Sequence, residues 1–205
     1  FEVEEDMIQL ETVVISANKN ETNRLEAPIV VHVMTPKLFE NTNSVCLAQG
    51  LNFQPGLRVE TNCQNCGFQQ VRINGLDGPY TQLLLDGKAL FSSLNGVYGI
   101  EQIPTGMIER VEVMRGGGSA LYGANAIGGI VNIITKEPLN NLFMISHNLT
   151  AIGNSAYDNT TSLNTSLVNS QRDAGIYLFG TSRHRQHYDH DGDHFSEIGK
   201  PLVSR

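Results

Sequence analysis

Apolar and polar positions fall into three textures along the chain. Across residues 25–138, short aliphatic runs recur between glycines and turn residues: IVVHVM at 29–34, QVRINGL at 70–76, TQLLLDG at 81–87, ERVEVMRG at 109–116 and GGIVNIITK at 128–136. Runs of this length, rich in Val, Ile and Leu and closed by Gly, Asn or Asp, predict strands. Two helix candidates interrupt them. SVCLAQGLNFQ has Thr42, Asn43 or Ser44 to cap it and ends where Pro55-Gly56 stops any helix. GSALYGAN is hemmed in by glycine and has room for one turn. Strands mixed with short helices predict an α+β unit with a small mixed sheet.

Beyond Pro138 the texture changes. Residues 142–151, 159–168 and 174–183 are ten-residue segments that alternate imperfectly between apolar and polar, with IGNSAYD and NSQRD between them. A strand crossing an outer membrane needs ~9–11 such residues, and a soluble β-meander gives the same pattern. Before residue 25 lie an acidic start, a β-branched run at 12–16 and a polar, linker-like ANKNETNR.

Composition narrows the function classes. With 40% hydrophobic and 17% charged residues over 205 positions, a charged disordered tail and a coiled coil are poor descriptions. The formal charge of −7 argues against a general phosphate-backbone binder, which needs a basic footprint. No run approaches the ~20 apolar residues of a membrane helix.

Three stretches carry candidate chemistry. Gly116-Gly117-Gly118-Ser119 has the glycines of a phosphate cradle, but no Lys-Ser/Thr pair and no useful helix follow. In HRQHYDHDGDHFSE, Asp189, Asp191, Asp193 and Glu197 follow D-x-D-G-D-x3-E, which sets hard oxygen ligands along one turn for a cation such as Ca²⁺. His184, His187, His190 and His194 crowd the same segment, and imidazole suits a transition metal or haem iron. A solvated loop without an ion explains it equally. For Cys63 and Cys66 a disulfide, free thiols, half a zinc site and a redox pair compete; neither a second Cys/His pair nor a thioredoxin-like βαβ setting supports the last two, and a disulfide, which suits an exported protein, is expected over free thiols. Cys46 is expected as a small buried hydrophobe.

The stretch IERVEVMRGGGSALYGANAIGGIVNIITK, residues 108–136, resembles the signature segment of TonB-dependent outer-membrane receptors, in the plug that fills their barrel. Upstream, Glu11, Thr12, Val13, Val14, Ile15, Ser16 and Ala17 resemble the TonB box, LNFQPGLRVE the family's helix end and Pro-Gly turn, and QVRINGL with LLLDGKAL its paired plug strands. One departure stands out. Many relatives have Arg directly before the glycine of the first of these strands; here Asn74 stands there and the basic residue is Arg72.

The resemblance implies an α+β plug domain followed by the first antiparallel strands of an outer-membrane β-barrel. It divides the chain into the end of an N-terminal extension (1–10), TonB box and linker (11–24), plug (25–138) and truncated first barrel strands (139–205). It implies transport rather than catalysis, with TonB, the chain's own barrel, the outer membrane and a small-molecule ligand as partners, and no required cofactor. The ligand would be a bulky metal chelate such as cobalamin, with haem or a ferric siderophore as alternatives. Ligand-facing residues would be Leu76, Asp77, Pro79 and Tyr80 in one connection and Ser92, Asn95, Gly96, Val97 and Tyr98 in another; the second resembles a ligand-touching plug loop of cobalamin receptors. Arg72, Arg110 and Arg115 would form plug-to-wall or internal ion pairs. A soluble periplasmic binding or signalling module without transport is the alternative from another class.

Overall fold

The computed structural model describes residues 14–15, 22–23, 30–63, 68–90, 100–116 and 119–194. Near the start, β1 (Val14–Ile15) pairs antiparallel with β2 (Thr22–Asn23). The plug is organised on a five-stranded sheet that includes β3 (Val31–Met34), β6 (Thr81–Leu85), β7 (Lys88–Ala89), β8 (Ile108–Arg115) and β9 (Gly129–Thr135), in the order β3-β8-β9-β6-β7. β6 runs parallel to β9, and the other pairings are antiparallel, so the sheet is mixed as predicted. β8 and β9 take the centre because they are apolar on both faces, the pattern of strands covered above and below.

The parity of the strands sorts the core. Val111, Val113, Val131, Ile133 and Leu83 point to one side, where they pack with Phe39, Leu47, Leu51, Leu57 and Ile73. Val31, Leu84, Met114 and Ile130 point to the other and pack with Ala126. On that second side Glu112 and Asn132 are also buried, joined by Asn132 Nδ2 donating to Glu112 Oε2 at 3.4 Å. Gly129 has φ +146° and closes this arrangement: a Cβ there would lie 2.3 Å from the Met114 carbonyl oxygen. Asn74-Gly75 and Asp86-Gly87 hold positive φ, as type I′ reversals require.

One predicted element takes a different form. The first helix candidate is only α2 (Leu47–Leu51), with Cys46 at its N-cap. Thr42 and Ser44 do not cap it. Thr42 Oγ1 instead donates to the Leu38 carbonyl at 2.8 Å and closes α1 (Pro36–Asn41), a helix too short to leave a periodic apolar signal. LNFQPGLRVE does end the helix, at Leu51, and turns at Pro55-Gly56, where Gly56 has φ +80°; the chain then continues as β4 (Leu57–Cys63), which pairs antiparallel with β5 (Phe68–Ile73). GSALYGAN forms the single turn expected, α3 (Ser119–Tyr122), followed by a 3₁₀ turn at Ala124–Ala126.

A second sheet follows, the meander β10 (Leu142–Ile152), β11 (Ala156–Val168) and β12 (Gly175–Arg185). Its plug-facing side holds Ala156, Asp158, Thr160, Asn164, Ser166 and Arg183, all buried. The opposite side shows Phe143, Ile145, Leu149, Leu163, Leu167, Ile176 and Leu178, all exposed. Directly opposed residues share a face, and Leu163 stands between Ile145 and Gly180, with Leu167 beside Ile176. β11 is therefore polar toward its protein neighbour; Leu142, Met144 and Phe179 share that side of the sheet but stay exposed, and the other side is mainly apolar.

Candidate functional site

Two features of the described residues bear on function, a cavity on the plug and the contact between plug and wall. The cavity, of about 460 Å³, lies between β5, the 76–80 connection and the turn after α3. Arg72, Asp77, Pro79 and Tyr80 line it with Gln70, Ala124, Asn125 and Ile127. Arg72 sits between two carboxylates, its Nε 2.9 Å from Glu60 and its Nη2 on Asp77. Gln70 Oε1 accepts from the Gly78 amide at 3.2 Å, and the Tyr80 carbonyl accepts from the Gly128 amide at 2.8 Å. These bonds fix the connection while Leu76, Tyr80 and Ile127 stay exposed. The cavity thus offers exposed apolar groups beside amides and a paired cation, the mixture suited to an amphipathic ligand. Gln70, Asn125 and Ile127 lie outside the residues singled out in the sequence; only the fold brings the 124–127 turn against β5.

The other predicted ligand-facing residues, Ser92, Asn95, Gly96, Val97 and Tyr98, lie outside the described residues. So do Glu11, Thr12, Val13, Ser16 and Ala17 of the TonB-box stretch, leaving Val14 and Ile15 as a paired extended segment. Cys66 is also outside them, so its pairing with Cys63 is not described. Cys46 is buried and free, and burial pushes its thiol above the ordinary value.

In the acidic segment, Asp189, Asp191 and Asp193 hold carboxylate oxygens within 4.8 Å of one another, while Glu197 lies outside the described residues. The donor set is hard oxygen, the chemistry a calcium ion takes. Asp189 already accepts from the Gly192 and His194 amides at 2.7 and 3.0 Å, so the carboxylate also builds the turn itself. His184 and His187 border a separate cavity of about 500 Å³ with Ser155, Gln186 and Asp189, and His190 Nδ1 bonds the Tyr188 hydroxyl at 3.1 Å.

The three predicted arginines each have a partner inside the plug. Arg110 Nε pairs with Glu112 at 2.9 Å, two residues along the same strand face. Arg115 turns to the Pro55 carbonyl rather than to a carboxylate. Residues that the sequence did not single out carry charge across the plug-to-wall contact. Arg183 on β12 donates from Nε to Asp158 at 2.9 Å and from Nη1 to Glu101 of the plug at 3.1 Å, with Cys46 Sγ 3.8 Å away. Arg185 Nη1 reaches the same Glu101 oxygen at 3.1 Å. Lower on the wall, the Tyr177 hydroxyl donates to the Gly106 carbonyl at 2.9 Å.

A mixed sheet lodged against the polar side of an antiparallel wall is the arrangement of a receptor plug and the beginning of its barrel. The chain belongs to the TonB-dependent receptor plug domain family, whose family model matches residues 23–130. It is similar to the vitamin B12 transporter BtuB of Vibrio vulnificus, 35% identical over 127 residues, which is 62% of this chain and 21% of that protein. BtuB of Vibrio cholerae is 31% identical over 126 residues, 62% of this chain and 21% of the relative. The chain therefore spans about a fifth of the length of these curated relatives. Among solved structures, the siderophore receptor PirA from Acinetobacter baumannii matches with TM-score 0.63 at 26% identity, over 80% of this chain and 26% of that one. FpvA of Pseudomonas aeruginosa, bound to heterologous pyoverdines, shares the fold with TM-score 0.65 at 18% identity, over 85% of this chain and 22% of its own.

Proposed function

We propose that the chain is the plug and the first wall strands of a TonB-dependent outer-membrane transporter that imports a bulky nutrient, with cobalamin as the substrate. The observation that carries the membrane reading is the outward side of β10–β12. Its positions, odd-numbered on β10 and β11 and even-numbered on β12, bear no Asp, Glu, Lys or Arg, whereas Asp158, Arg183 and Arg185 all sit on the plug side. A lipid-facing strand surface carries that distribution, and a solvated meander the reverse. The same observation counts against a soluble periplasmic module.

Transport on this reading is mechanical and needs no covalent step. The 11–17 stretch docks as an added strand on a periplasmic TonB partner, which supplies the pull. For the ligand, the similarity to vitamin B12 transporters favours cobalamin, and the plug cavity agrees with it. One arginine between two carboxylates leaves the lining without spare positive charge, a poor match for a strongly anionic ferric chelate. A siderophore remains the second reading, favoured by the likeness to PirA; haem, favoured by the histidines at 184–194, comes after it.

Titration of cobalamin, a ferric tris-catecholate and haemin into the complete protein tests the ligand. Saturable binding of cobalamin alone is expected, and saturable binding of the catecholate without cobalamin would reverse the order. A peptide covering residues 11–18 is expected to pair with a TonB C-terminal domain. No binding at high micromolar peptide would remove the docking step.

A further inference from the structure

The wall presents the plug with a row of small residues on β11, namely Thr160, Ser162, Asn164 and Ser166. Side-chain direction on a strand repeats every second residue. A slip of the plug by two residues along β11, about 6.6 Å, would therefore exchange one small polar neighbour for another. Shape alone discriminates weakly among these positions.

Charge does discriminate. Two cations, Arg183 and Arg185, and two anions, Asp158 and Glu101, meet at one height, each side chain no more than 17% exposed. Three of the four stand on the wall, and only Glu101 comes from the plug. Sliding the plug either way would carry the buried Glu101 carboxylate off the two guanidinium groups, which is far costlier than losing an exposed pair. Cys46, on the N-terminal side of α2, meets the same guanidinium and ties a second plug segment to this height.

We propose that Glu101 is a positioning residue that sets the register of the plug on its wall. It acts through Arg183 and Arg185, beside the weaker marks left by the Tyr177–Gly106 hydrogen bond and the close approach of Gly106 to Asn164. The inference concerns plug placement and does not rest on the identity of the ligand.

Cysteine cross-linking in the complete protein reads the register directly. A Cβ at Gly106 would lie 2.6 Å from Asn164 Nδ2, so this pair marks the native height. With Cys46, Cys63 and Cys66 replaced by Ser, Gly106→Cys is combined in turn with Ser162→Cys, Asn164→Cys and Ser166→Cys. With Glu101 present, the 164 pair is expected to exceed the other two by about tenfold or more, a factor equivalent to ~1.4 kcal/mol. Glu101→Gln is expected to spread the cross-links over the three positions, and Glu101→Asp to restore the preference. The double variant Glu101→Gln with Arg185→Gln removes one charge of each sign and keeps Arg183 on Asp158. It serves where the single variant fails to fold, and a spread profile is again expected. An unchanged preference for 164 in that double variant overturns the proposal.

Discussion

The plug sheet and the wall sheet use strands of similar composition in opposite ways. β8 and β9 bury Val111, Val131 and Ile133 on one side and Met114 and Ile130 on the other, and their few polar groups, Glu112 and Asn132, bond each other inside. β10–β12 do the reverse, keeping Asp158, Thr160, Asn164 and Ser166 against the protein and leaving Phe143, Leu163 and Leu178 outside. The plug sheet excludes water to gain stability. The wall sheet keeps its contact with the plug polar, so the two sheets meet without fusing into one apolar core.

Substitutions that act on only one side of this contrast test it, beginning with the largest effect. Arg183→Met leaves Glu101 and Asp158 buried with less cation to meet them, and a loss of ~3–5 kcal/mol is expected, read as the denaturant midpoint of the plug in the complete protein. A loss under ~1 kcal/mol would place the cluster with ordinary surface pairs. On the outward face, Leu163→Arg is expected to cost ~2–4 kcal/mol in a bilayer, seen as reduced folding into lipid vesicles. The same change would be nearly neutral if that face met water, which would erase the contrast.

Smaller effects are expected in exposed parts of the plug. Arg72→Ala removes a partly exposed pairing with Glu60 and Asp77 and should shift stability by ~0–1 kcal/mol; a larger loss would mean that the cavity is part of the core. The smallest effect concerns pH at Cys46. Burial raises its thiol in the folded state, so its contribution is fully present below the ordinary thiol value and is lost as pH rises through the folded one. Stability should therefore fall more steeply on the alkaline side with Cys46 than with Cys46→Ala, as measured by denaturation at stepped pH. Equal slopes would show that the Cys46 thiol is not desolvated in the folded state.

Much of the fold is legible in the sequence for local reasons. IVVHVM, TQLLLDG, ERVEVMRG and GGIVNIITK each contain an observed strand, because β-branched residues and closing glycines act within the run itself. α1 is not legible, since six residues behind a proline hold too little periodicity to stand out. The candidate site divides the same way. Asp77, Pro79 and Tyr80 share a short connection and line one cavity, but Asn125 and Ile127 join them only across the sheet. Arg110 finds Glu112 two residues away, whereas Arg183 finds Glu101 at a separation of 82 residues.

What the sequence determined by itself is period and punctuation: where strands run, where they reverse, and that the segments after Pro138 have two unlike faces. A local pattern carries a repeat length but no direction, because alternation is the same whichever side meets protein. Only the tertiary structure decided that the polar side of β11 turns toward the plug, that Arg183 and Arg185 converge on Glu101, and that the apolar residues of β10–β12 are left to whatever surrounds the wall. Those outcomes depend on which surfaces pack together, and the partners lie too far apart along the chain for any local spacing to record them.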